Sequence, residues 1–141
     1  MATILFVDDH HALRTVFAGT LRSAGYVVLE AGTLVDAEHL VEHMSGAIDL
    51  LIVEVMLSTT NGLEVVRRFQ PAEPKMQVLF ISEQSAGSLS AEGLLTKGAH
   101  FLQKPFGAED LITRLEQLAK VRHPLRARRR TTPVTKRARQ V

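Results

Sequence analysis

The 141-residue chain contains no cysteine, which removes disulfides, thiolate zinc sites and thiol nucleophiles from the chemistry open to it. A cysteine-free composition suits a reducing compartment, and a cytoplasmic location is the expectation. Long apolar runs are also missing. The first, Thr3-Ile4-Leu5-Phe6-Val7, meets Asp8 too soon to serve as the core of a secretion signal. No run approaches the roughly 18 residues of a membrane span, so no transmembrane segment is expected. No internal repeat is visible, and the length and 45% hydrophobic content suit a single core.

Acidic residues are absent from one end of the chain. Residues 1–119 hold 8 Lys/Arg against 15 Asp/Glu, whereas residues 120–141 hold 9 basic residues and no acidic one. The formal net charge of +2 therefore averages an acidic body and a basic tail. The tail contains Pro124 and Pro133 and few apolar residues, so residues 122–141 are expected to be a solvated, disordered extension to a domain spanning residues 1–121. Its charge suits nucleic-acid phosphates or an acidic surface, but it has no aromatic residue or recognition helix to read a base sequence. A solubility tail or a linker to a further domain is the plainer reading.

What is present is organised around Asp49-Leu50-Leu51-Ile52-Val53-Glu54-Val55-Met56-Leu57. A nearly unbroken apolar run of this length reads as a strand buried on both faces, as in the middle of a parallel sheet. Ser58-Thr59-Thr60-Asn61-Gly62 follows it as a loop, and Glu54 emerges where the strand stops. Ligand crevices of open α/β sheets lie at the carboxyl ends of strands, which makes Glu54 a candidate site residue. Ile4-Leu5-Phe6-Val7 ends likewise in Asp8-Asp9, so two acidic strand exits point to one shared site.

Strand and helix patterns alternate along the rest of the chain. A helix is expected over residues 12–24, with Leu13, Val16, Phe17 and Leu21 as its apolar stripe and Gly25 at its end. A strand over 26–29 and a helix over 36–44 follow, the latter with Ala37, Leu40, Val41 and Met44 on one side. Gly62 opens a helix through residue 69, with Leu63, Val66 and Phe69 inward, ended by Pro71 and Pro74. Residues 78–81 form a strand, 85–97 a weak helical segment rich in Gly and Ser, 99–102 a strand and 109–121 a helix. Five β-α units in series imply a doubly wound, three-layer α/β/α fold around a five-stranded parallel sheet.

At this point several motifs in order make residues 3–121 resemble the receiver domain of bacterial two-component response regulators, the CheY-like family. Asp8-Asp9 is similar to the family's acidic pair, Ser82 to its switch hydroxyl, and Gly98-Ala99-His100-Phe101-Leu102-Gln103-Lys104-Pro105-Phe106 to its fifth-strand motif. The resemblance implies strand order 2-1-3-4-5 and places Glu54 at the phospho-acceptor position. Lys104 becomes the phosphate-binding lysine, Phe101 the rotameric aromatic, and Lys104-Pro105 a cis peptide. Asp8, Asp9, Glu54 and the backbone carbonyl of Met56 become the ligands of a Mg²⁺ ion, bound weakly or not at all. A histidine kinase or another signalling protein becomes the partner, and residues 99–121 with the preceding helix a homodimer surface. The expected function is that of a stand-alone receiver-like module in phosphorelay signalling, not of a turnover enzyme.

Four positions depart from the family pattern. The acceptor is Glu54 instead of aspartate, Ser58 replaces the proline usual four residues later, Glu83 replaces a small residue, and Leu34 stands where glycine is common. Phosphoryl transfer to a carboxylate relies on Mg²⁺, a lysine and a hydroxyl around the acceptor, and one more methylene moves the acceptor oxygen by about 1.5 Å. Glu54 is open to three readings: a natural loss of the acceptor, an engineered replacement that imitates the phosphorylated state, or a working acceptor of unusual length. Separately, His39-Leu40-Val41-Glu42-His43 fits the H-x-x-E-H pattern of some zinc peptidases, although the same residues suit the solvated face of a scaffold helix.

Overall fold

The computed structural model describes residues 2–122 of the chain. Residues Ala2–Phe106 form one compact unit, and the described residues from Gly107 to Arg122 belong to another. The first holds strands β1 (Thr3–Val7), β2 (Val27–Ala31), β3 (Leu50–Glu54), β4 (Gln77–Ser82) and β5 (His100–Gln103). These alternate with helices α1 (His11–Ser23), α2 (Leu34–Glu42), α3 (Gly62–Phe69) and α4 (Ala86–Ala91). All neighbouring strands are parallel, in the order β2-β1-β3-β4-β5 implied by the resemblance. The second unit holds α5 (Ala108–Arg122), whose buried residues are Leu111, Leu115 and Leu118. Its first turn is tied down by Asp110 Oδ2, which accepts from the Gly107 N–H at 2.9 Å.

The central position of β3 follows from its composition. Every residue from Leu50 to Glu54 is buried, because β1 covers one edge, β4 the other, and apolar side chains are needed on both faces. Leu5, Val7, Leu51, Val53 and Phe80 point to a face closed by Ala37 of α2, Val65 and Phe69 of α3, and Leu89 of α4. Ile4, Phe6, Ile52, Leu79 and Ile81 alternate to the opposite face and are equally buried.

Several boundaries and one stripe differ from expectation. β2 runs through Ala31 because β1 pairs with it residue for residue to Val7↔Ala31, whereas the Tyr26 N–H is spent on the Leu21 carbonyl at the end of α1. α2 begins at Leu34 because the Thr33 side chain caps it, accepting from the Asp36 N–H at 3.0 Å. The weak segment over residues 85–97 yields only the short α4; Gly93 and Gly98 then adopt positive φ, which glycine alone takes without cost. Val16 is 65% exposed and does not belong to the buried stripe of α1, which is carried by Ala18 and Leu21. Their i, i+3 spacing rotates the buried face away from Val16.

Candidate functional site

Parallel strands deliver their carboxyl ends to one edge of the sheet, and the site is built there. β1 and β3 pair in the register Ile4↔Leu50 to Val7↔Val53, which carried one residue further sets Asp8 level with Glu54. β4 ends in Ser82, and the chain leaving β5 turns Lys104 back toward it, donating its N–H to the Ser82 carbonyl at 2.8 Å. The Lys104-Pro105 peptide is cis. Gly62 makes the turn after β3 possible: its N–H bonds the Val55 carbonyl at 2.9 Å, and a Cβ there would stand 3.0 Å from the Glu54 carbonyl oxygen.

Three charged side chains meet at the bottom of this edge. Lys104 Nζ lies 2.7 Å from Glu54 Oε1 and 3.0 Å from Asp8 Oδ2. Asp8 is fully buried and the side chains of Glu54 and Lys104 are each 8% exposed, so the pairing is not a surface ion pair. Burial alone would push the Lys104 ammonium down, but its bonds to Glu54 and Asp8 outweigh this and hold its pKa above the ordinary value. The remaining carboxylate oxygens are also engaged. Asp8 Oδ1 accepts from the His10 N–H at 2.9 Å, and Glu54 Oε2 from the Met56 N–H at 3.1 Å.

Asp9 goes elsewhere. Its Oδ2 accepts from the Ser58 N–H at 2.8 Å and from the Ser58 hydroxyl, joining the turn after β1 to the loop after β3. The acidic pair that the resemblance assigns to one ion is therefore divided, with Asp8 inward on Lys104 and Asp9 outward on Ser58. Met56 pairs with Asn61 across that loop. A hard divalent cation needs several free oxygens, whereas both oxygens of Asp8 and both of Glu54 already accept hydrogen bonds and an ammonium lies between them. Among the described residues no group of three or more His, Cys, Asp and Glu side chains is disposed to hold a metal. As arranged, these residues do not fit Mg²⁺.

The hydroxyl of Ser82 is buried and accepts from the Gln84 N–H at 3.2 Å. Beside it, Gln103 Nε2 donates to the Glu83 carbonyl at 3.0 Å, tying the end of β5 to the loop after β4. Phe101 is half-buried, in register with Phe80, and packs against the core.

Arg14 was not foreseen from sequence. It donates from Nη1 to the Asp8 carbonyl at 2.6 Å and from Nε to Glu30 Oε1 at 3.2 Å, holding the acidic turn to β2. Ser58 stood out in the sequence as a replaced proline, but nothing in the pattern pointed to Asp9 as its partner. The zinc motif finds no support in the geometry. His43 caps the C-terminus of α2, its Nδ1 lies 2.8 Å from the His39 carbonyl, and no metal cluster forms among the described residues. Of the basic tail only Arg122 is described, at the end of α5, and residues 123–141 lie outside the described residues.

The model of the response regulator receiver domain matches residues 4–116. The receiver domain of the hybrid histidine kinase CckA superposes with a TM-score of 0.67 at 34% identity, covering 82% of this chain and 97% of that one. The chemotaxis protein CheY4 of Vibrio cholerae superposes with a TM-score of 0.71 at 28% identity, covering 83% and 98%. The response regulator receiver protein CpdR of Brucella abortus is 28% identical over 119 residues, 84% of this chain and 97% of CpdR. Other relatives are much longer: the chain spans 12% of the sensor kinase CckA of Brucella abortus and 24% of the regulator NtrC of Azospirillum brasilense. No helix among the described residues is long and apolar enough to cross a membrane.

Proposed function

The chain belongs to the response regulator receiver domain family, and from that premise we propose that it is a stand-alone receiver of two-component signalling whose acceptor position does not take a phosphoryl group. It then signals through protein contacts with a histidine kinase or another signalling protein in the cytoplasm. The observation that supports this reading most is the 2.7 Å pairing of Glu54 Oε1 with Lys104. An attacking carboxylate oxygen must approach phosphorus to about 3 Å in line, and misplacement by about an ångström costs on the order of 100-fold. The longer side chain of Glu54 places its oxygen on the lysine that would otherwise meet the phosphate, and the carboxylates have no free arrangement for the cation that would neutralise it.

Intact-mass spectrometry after incubation with acetyl phosphate and Mg²⁺ tests it. No adduct is expected on the unaltered chain, partial labelling on Glu54→Asp, and more on Glu54→Asp/Glu83→Ala, where a carboxylate beside Ser82 is also removed. A stable adduct on Glu54 of the unaltered chain overturns the proposal in favour of a working acceptor.

The charge of residues 120–141 supports a second, independent role: loose, non-specific association with nucleic acid. Binding of the chain to random duplex DNA should weaken steeply with salt and vanish without residues 122–141. Self-association through residues 99–121 and the preceding helix is proposed from the family resemblance, and a monomer at all concentrations in sedimentation removes it.

A further inference from the structure

Two side chains stand between the acidic residues and a divalent cation, and they act on different carboxylates. Lys104 occupies Asp8 and Glu54. Ser58 occupies Asp9 alone, through both its N–H and its hydroxyl. Restoring a short acceptor at position 54 would loosen the first arrangement and leave the second untouched.

We infer that Ser58 is a latch that denies Asp9 to divalent cations, so that cation exclusion at this edge of the sheet has two independent determinants, Glu54 and Ser58. The inference rests on the reading of the acidic edge given above and extends it to a residue outside the acceptor position. Two donors converge on Asp9 Oδ2, which fixes the carboxylate toward the loop after β3. A cation that takes Asp9 through Oδ2 has to break both bonds, and the bonds are charge-assisted, the stronger kind. Proline removes both donors at once, having neither an N–H nor a hydroxyl, whereas alanine removes only the hydroxyl. Threonine keeps both.

Mg²⁺ titration by calorimetry on the full chain provides the test, with Glu54→Asp as the background in which the Lys104 pairing is loosened. Glu54→Asp/Ser58→Pro should bind Mg²⁺ on the order of 100-fold more tightly than Glu54→Asp, the worth of the two charge-assisted hydrogen bonds it removes. Glu54→Asp/Ser58→Ala should gain less, and Glu54→Asp/Ser58→Thr nothing. Thermal melting of each variant without metal checks that the loop still folds. If the proline variant melts early, the alanine and threonine pair decides: equal affinity in those two overturns the latch, and tighter binding by alanine supports it. Equal affinity of a folded proline variant and Glu54→Asp overturns it directly. The titration is read without any phosphodonor, so a failed latch and a failed acceptor proposal are told apart: the latter appears only as an adduct on the unaltered chain.

Discussion

Lys104 Nζ stands 2.7 Å from Glu54 Oε1 and shares its remaining charge with Asp8, making the ammonium the cation of a buried acidic pair. One positive charge faces two carboxylates, and backbone N–H groups of His10 and Met56 meet the oxygens it does not reach. Such a cluster is more costly to break than to replace.

Removing the lysine should therefore be severe. Lys104→Met leaves two buried carboxylates without a cation and should cost about 3–5 kcal/mol in urea unfolding. Adding Glu54→Gln to it removes one of the two charges and should restore part of the loss. A cost below about 1 kcal/mol for Lys104→Met would mean that the pair behaves as a solvent-exposed one.

The same pairing sets an alkaline limit. The folded-state pKa of Lys104 is raised above the ordinary 10.5, so its stabilising effect is complete below that pH and is lost as pH rises through the higher folded value. The gap in melting temperature between the unaltered chain and Lys104→Met should be constant through neutral pH and narrow only above pH 10.5. A gap that closes between pH 6 and 9 would place the effect on another group.

Gly62 is expected to be intolerant for a packing reason. A Cβ there meets the Glu54 carbonyl oxygen at 3.0 Å and the Phe80 ring at 3.2 Å, and neither a backbone carbonyl in a central strand nor a buried ring can yield cheaply. Gly62→Ala should lose about 1–3 kcal/mol despite alanine's better helix propensity. Chemical denaturation measures it, and an unchanged or raised midpoint contradicts the steric account.

Arg14→Lys should weaken the acidic turn although it conserves charge. A lysine cannot donate at once to the Asp8 carbonyl and to Glu30 with the forked geometry of a guanidinium. A loss of about 1–2 kcal/mol is expected. A double-mutant cycle with Glu30→Gln should show coupling, and strict additivity would show that the Arg14–Glu30 contact contributes nothing to stability.

The alternation of apolar runs with helical stripes was enough to specify a doubly wound sheet, because burial on both faces leaves β3 no polar position before Glu54 and places its acid at the sheet edge. The same reasoning brought out Asp8 and Asp9 at a strand exit, since parallel strands all end on one side, whereas Ser82 and Lys104 were legible only through the family resemblance. Helix limits were less legible: the start of α2 depends on a Thr33 cap and the end of β2 on its pairing with β1, neither of which leaves a periodic trace. Val16 looked inward because the stripe was read from apolar residues alone, whereas α1 turns on the small Ala18 and on Leu21. What tertiary structure alone decided is the partner of each charge. Composition supplied the carboxylates and the lysine, but only the meeting of loops far apart in the chain directed Asp8 and Glu54 onto Lys104 and Asp9 onto Ser58. Hydrogen bonds at those distances depend on where backbones converge, and a local sequence pattern carries no record of that convergence.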